Sequence, residues 1–161
     1  MATFGQSSMN RLMTCHRDIQ AIMNKAIKYY DFSVLHGTRT PAEQFELFKK
    51  GRKVIIGDGS DPNNYEISNK SEIVTFKDGT IKKSMHNYSP SKAVDIAPYP
   101  INWKDLNRFY YLAGLVQQVA AEMVEKKLIT HKLVWGADWD DDRDFTDHIF
   151  MDYPHFQLER I

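Results

Sequence analysis

The chain contains one cysteine, Cys15, so an internal disulfide is excluded. It has no excess charge of either sign: 21 lysines and arginines balance 21 aspartates and glutamates. The strongly basic balance of a nucleic-acid-binding surface is therefore missing, and no nucleic-acid partner is expected. No apolar run approaches the length that spans a bilayer, which argues against membrane insertion. The first residues, MATFGQSSMNRLMTCHRD, lack a basic segment followed by an apolar one. The expectation is synthesis in, and initial retention in, the cytoplasm. Internal repeats and low-complexity linkers are absent too, and 161 residues suffice for one domain with a real core. Apolar residues at 42% and charged residues at 26% are ordinary for a globular chain and argue against global disorder.

Several segments have a clear local period. From Ser8 to about Tyr29 the residues Leu12, Cys15, Ile19, Ile22, Met23, Ala26 and Ile27 recur every three or four positions. That predicts one amphipathic helix, with Ser8 as N-cap and Cys15 as a small core residue. FSVLHG reads as a strand ended by Gly37. In TRTPAEQFELFKKG, Thr40, Pro41 and Glu43 form a strong helix start, and Gly51 supplies the stop. Residues 52 to 83 read as an excursion from the core: GDGSDPNN is turn chemistry, and IVTFKDGTIKK suggests a hairpin around Asp78-Gly79. KAVDIAPY is a strand. A long helix is expected from Asn102, as cap, to about Lys127, its core face including Phe109, Ala113, Val116 and Ala120. KLVWG and the closing DYPHFQLERI are further strands. Residues 1 to 161 are thus expected to form a single α+β domain, a small, mostly antiparallel sheet with helices packed on one side.

Within the strand AVDIA, Val94 and Ile96 share one face and Asp95 points to the other. In PHFQL, Phe156 and Leu158 share a face, with His155 and Gln157 opposite. If the two strands are neighbours, Asp95 and His155 converge, and His86 from the preceding loop can join them. Two imidazoles and one carboxylate with a free fourth position describe a catalytic zinc site; a structural site would call for four ligands, usually with thiolates. Asp152 lies three residues before His155, across Tyr153-Pro154, whose stiffness suits a general base. Each residue also has a plainer reading. Asp95 can be a salt-bridge or cap residue, His86 a loop histidine, and His155 a satisfied core histidine.

Taken in order, GTRTPAEQ, SMHN, AVDIAPYP, WGADWD and DYPHFQL resemble the zinc peptidases of the D-Ala-D-Ala carboxypeptidase and L-alanyl-D-glutamate endopeptidase family, which share their fold with the hedgehog N-terminal domain. The family pattern is Ser-x-His, Ala-x-Asp and acid-x-Pro-His, here Ser84 and His86, Ala93 and Asp95, then Asp152, Pro154 and His155. A Gly-x-Arg-Ser/Thr-x-x-Glu-Gln helix start adds Arg39 and Gln44. The resemblance implies that His86, Asp95 and His155 bind zinc and that Asp152 is the general base and later the acid. It further implies that Arg39 faces the developing oxyanion, and that Ser84 and Gln44 support the site or touch substrate. The interval from His86 to Asp95 is longer than in compact members of the family, with Pro90 and its flanking serines reading as a loop extension. The base is Asp where several relatives have Glu.

The implied reaction is hydrolysis of an amide bond in peptidoglycan stem peptides. The expected protein is a monomeric phage endolysin with L-alanyl-D-glutamate specificity, made in the host cytoplasm and acting on the periplasmic wall after release. The alternatives are a D-Ala-D-Ala carboxypeptidase, a virion-borne hydrolase, and a non-catalytic zinc domain of hedgehog type. The run DWDDDRDFTDH, around residues 138 to 147, reads as a solvated acidic loop before a calcium site, since it lacks the glycine and spacing of an EF-hand. His16, His36, His131 and His148 have no motif support as ligands, though His148 can reach the rim of the site. Trp135 and Trp139 are core or groove residues.

Overall fold

Apolar residues at alternate positions of a strand must find a second layer to cover them, and that need organises the larger part of this chain. The computed structural model describes residues 1–54 and 65–161. They form two compact units, one of Met1–Thr38 with Ser89–Ile161 and one of Arg39–Tyr88. The turn chemistry expected of GDGSDPNN lies outside the described residues.

The first unit holds a four-stranded sheet of β1 (Phe32–His36), β4 (Ala93–Pro98), β6 (His155–Arg160) and β5 (His131–Trp135), in the order β1-β4-β6-β5. Every pairing in it is antiparallel. The core lies on one face: Phe32 and Val34 of β1, Val94 and Ile96 of β4, Phe156 and Leu158 of β6, and Leu133 and Trp135 of β5. These meet Ile19, Ile22 and Met23 of α2 (Arg17–Ala26) and Leu112, Val116 and Ala120 of α4 (Leu106–Glu125). The helices thus cover the face that the alternation marks as apolar, which is the expected α+β arrangement.

The single helix expected from Ser8 to Tyr29 is instead two, α1 (Gln6–Leu12) and α2. The break has a tertiary cause. Cys15 forms a parallel bridge with Ser91, where Ser91 N donates to Thr14 O at 2.9 Å and His16 N to Ser91 O at 2.7 Å. Those bonds take backbone groups that a continuous helix would use, and His16 restarts the helix as its N-cap. Nor does Ser8 cap α1. Its hydroxyl accepts from Val34 N at 3.1 Å, while Arg11 donates to Val34 O at 3.0 Å. The two side chains satisfy the outer edge of β1, the exposed flank of the sheet. Asn102 likewise closes a turn through Lys104 N rather than capping α4, which starts at Leu106.

The second unit contains α3 (Pro41–Phe48), whose Thr40–Glu43 capping box and first-position Pro41 match the sequence expectation. It also holds a two-stranded antiparallel ribbon, β2 (Arg52–Val54) with β3 (Tyr65–Ile67). The hairpin expected around Asp78-Gly79 is not a strand pair. Asp78 is buried, and its carboxylate accepts from the backbone N–H groups of Thr80, Ile81 and Lys82 and from the Thr80 hydroxyl. A side chain that collects the local donors leaves none for a ladder. Burial pushes the Asp78 carboxyl upward, but these hydrogen bonds outweigh it and hold its pKa below the ordinary value.

Candidate active site

The polar face of the sheet is built by register. Asp95 of β4 stands directly opposite His155 of β6, and both point away from the core face of Val94 and Phe156. His155 Nδ1 lies 3.2 Å from Asp95 Oδ1, and the other ring nitrogen lies 3.3 Å from Gln157 Oε1. Both partners are almost fully buried, His155 at 7% and Asp95 at 9% exposure. On the other flank of Asp95 the β1–β4 register shifts between Val34 and His36. This irregularity turns His36 onto the same carboxylate, with Nδ1 at 3.2 Å from Asp95 Oδ2. The aspartate that looks misplaced in a buried strand thus sits between two imidazoles. Sequence reasoning missed His36 because the register shift is not a pattern in the chain.

Burial pulls the His155 pKa down, since a cation loses solvation there. The hydrogen bond and charge of Asp95, the charge of Asp152 and the contact with Gln157 outweigh that, so the pKa is raised overall. The site therefore attracts positive charge strongly enough to overcome desolvation. Trp139 packs its ring 5.5 Å from that of His155 and donates its indole N–H to Phe150 O at 2.8 Å.

Asp152 is held in place by backbone. Its N–H donates to Gly136 O at 2.7 Å, Gly136 N to His155 O at 2.8 Å, and His155 N to Asp152 O at 3.1 Å. The Trp135 indole donates to Tyr153 O at 2.8 Å, and Ile96 N donates to Pro154 O at 2.9 Å. The Asp152-Tyr153-Pro154-His155 segment is thus tied to β5 on one side and β4 on the other. Gly136 is a second residue to which sequence reasoning gave no role, although it lies at the end of KLVWG and within WGADWD. A Cβ on it would stand 2.5 Å from Asp152 O and 3.0 Å from the Cβ atoms of both Asp152 and His155. Only glycine permits this approach without displacement.

The remaining expected residues lie in the second unit. His86 occupies a short 3-10 turn, Met85–Asn87, and is buried. Ser84 caps this turn: its hydroxyl accepts from His86 N at 3.3 Å, while Ser84 N donates to Asn87 Oδ1 at 2.9 Å. The turn is tied to Arg39, whose N–H donates to His86 O at 2.8 Å and whose carbonyl accepts from Asn87 Nδ2 at 2.9 Å. Arg39 also donates from its guanidinium to Gln44 Oε1 at 2.8 Å. Gln44, 1% exposed, donates in turn to Lys77 O at 2.9 Å and Thr75 Oγ1 at 3.2 Å. Its amide orientation is thereby set, and with it the oxygen it offers to Arg39.

The acidic run is exposed from residue 140 to 147, as expected of a solvated loop, and Asp138 is the exception among its carboxylates. Asp138 is fully buried, and its Oδ1 accepts from Asp142 N at 3.1 Å and Arg143 N at 3.3 Å. Asp142 accepts from Asp144 N, and Asp144 from Thr146 N and hydroxyl. Each of these aspartates closes a local turn. Trp135 is core at 1% exposure, whereas Trp139 is half-buried beside His155. His148 reaches this rim, accepting from Trp139 N at 3.1 Å.

Residues 59–159 match the family model for phage L-alanyl-D-glutamate peptidases. Among solved structures, the L-Ala D-Glu endopeptidase ChiX of Serratia marcescens is similar over 97% of this chain and 89% of that one, with a TM-score of 0.62 and 23% identity. At that identity the likeness is one of fold. Among curated proteins none matched. The match across most of the chain joins a sheet that sets Asp95 against His155 and anchors Asp152 beside them, and this chain belongs to the phage L-alanyl-D-glutamate peptidase family, as a peptidoglycan hydrolase.

Proposed function

We propose that the chain acts as a phage endolysin, cutting the amide bond between L-alanine and D-glutamate in peptidoglycan stem peptides, with one zinc ion held by His86, Asp95 and His155. The observation that carries this reading is the register pair Asp95–His155, with the Asp152 charge bearing on the same imidazole. Negative groups that raise the proton affinity of His155 also favour a divalent cation in the proton's place. Two imidazoles and one carboxylate suit a borderline ion with an open position. In this reading His86 is the third donor, and the capped turn of Ser84 and Asn87 limits its freedom.

Zinc, when bound, supplies Lewis acidity toward water and the scissile carbonyl. Asp152 takes the proton from the attacking water and returns it to the leaving amine, a shuttle that needs a carboxylate held at fixed reach. Its ties to Gly136 and His155 support that role. Arg39 donates to the oxyanion as it forms, with Gln44 fixing the guanidinium. Ser84 acts through the turn that carries His86.

The reading takes residues 1–161 as one catalytic domain and one monomer, made in the host cytoplasm and reaching the wall after release. No described helix is long and apolar enough to cross a membrane. The test is mass spectrometry of purified peptidoglycan after digestion, with and without a chelator. New N-terminal D-glutamate is expected from the zinc-loaded protein and none from Asp152→Ala. Release of free D-alanine would instead name a carboxypeptidase, and no released product would name a binding domain.

A further inference from the structure

A second group of donors lies in the first unit, on residues that neither the motifs nor the family match assigns to the reaction. His16 caps the start of α2, Asp18 sits in its first turn, and His131 opens β5. One ligand atom from each of the three lies within 4.8 Å of the others. Asp18 is 1% exposed, and its Oδ2 accepts from both the N–H and the hydroxyl of Thr130, at 3.0 and 3.1 Å. His131 Nδ1 stands 2.8 Å from the same oxygen, and His16 Nδ1 stands 3.8 Å from Oδ1. The two rings meet edge to face with centroids 4.9 Å apart.

Donor atoms bound about 2.0–2.2 Å from a tetrahedral ion lie about 3.3 Å from one another. The 2.8 Å separation runs to Asp18 Oδ2 and the 3.8 Å one to Oδ1, and with one ligand atom of each residue within 4.8 Å of the others, side-chain rotation brings the three donors to that spacing. His16 Nδ1 accepts from Asp18 N–H at 3.2 Å, so this nitrogen is unprotonated, and an ion would take the lone pair that now caps α2. Thr130 fixes the carboxylate from behind, which is how outer hydrogen bonds orient metal ligands. Both imidazoles keep about a quarter of their side-chain surface exposed, 23% and 24%, so an ion has a route in.

We propose that His16, Asp18 and His131 form a second divalent-metal site, of the zinc class, which staples the start of α2 to the start of β5. It is separate from the Asp95–His155 pair and does not depend on the catalytic reading. An ion here joins positions far apart in sequence and stabilises the folded chain by linkage.

The full chain, stripped with chelator and dialysed against zinc, is analysed for bound metal. The double variant His16→Gln/His131→Gln is expected to bind one equivalent fewer than wild type. His155→Ala is expected to lose a different equivalent, so that the combined variant loses two. An unchanged metal count in His16→Gln/His131→Gln overturns the proposal. Mapping diethyl pyrocarbonate labelling on the wild-type chain removes any dependence on variant folding. Zinc at ten times its dissociation constant is expected to slow modification of His16 and His131 about ten-fold. Labelling of both histidines at the same rate with and without zinc also overturns it.

Discussion

Replacing Gly136 by alanine tests whether the Asp152–His155 segment is positioned by close backbone approach. The Gly136 φ does not lie in the left-handed region, so alanine meets no backbone penalty there and the cost is purely steric. The new methyl would stand 2.5 Å from Asp152 O, which must retreat by about 0.9 Å to reach the 3.4 Å of ordinary contact. Asp152 N and His155 O are bonded to Gly136 itself, at 2.7 and 2.8 Å, so the retreat strains both bonds. Overpacking of this kind costs about 1–3 kcal/mol of stability. A shift near 1 Å in a positioned group costs on the order of 10²-fold in rate. Gly136→Ala is therefore expected to remain folded, with a lowered melting temperature, and to lose about two orders of magnitude in kcat for peptidoglycan solubilisation. Gly114 provides the control. It is exposed in the middle of α4 with nothing within 4 Å of its would-be Cβ. Gly114→Ala should stabilise the chain by about 0.5–1 kcal/mol without changing kcat. A Gly136→Ala protein with wild-type kcat and melting temperature would refute the steric reasoning.

Three further outcomes are expected. Burial pushes the Cys15 thiol up to about 12, so the native chain should not react with Ellman's reagent at pH 8 and should yield one thiol in guanidinium; a native reaction within minutes would place Cys15 outside the core. Gln44→Leu should remove the acceptor that holds Arg39, lowering kcat more than it changes KM and costing about 1–3 kcal/mol in urea unfolding; an unchanged kcat would separate Gln44 from the reaction. Because the folded pKa of Asp78 is depressed, its stabilising contribution is present above the ordinary carboxylate value of 3.8 and is lost as pH falls through the lower folded value. Urea titrations between pH 7 and pH 3 should thus show wild type losing more stability in acid than Asp78→Asn, and parallel curves would contradict the assignment.

The polar partners in the second unit show where local reading succeeds. The α3 start is written in adjacent residues, because Thr40, Pro41 and Glu43 satisfy one another's backbone groups within a single turn. The Asp78 loop failed the same kind of reading for an equally local reason. A β-hairpin and an aspartate-capped turn share the Asp-Gly signature, and burial of the carboxylate selects the second.

The chain by itself determined the faces: alternation in AVDIA and PHFQL puts Val94, Ile96, Phe156 and Leu158 toward the helices and leaves Asp95 and His155 opposite, because successive strand side chains must point to opposite sides. The ordered motifs identified the family, and with it the catalytic candidates. Only the tertiary structure decided that β4 and β6 pair with Asp95 across from His155, that an irregular β1 register adds His36, and that Ser91 splits the first helix at Cys15. It alone brought Gly136 against Asp152, and His131 to Asp18. Periodicity constrains a residue relative to its own neighbours, whereas register and close approach are set by where a second, distant segment comes to rest.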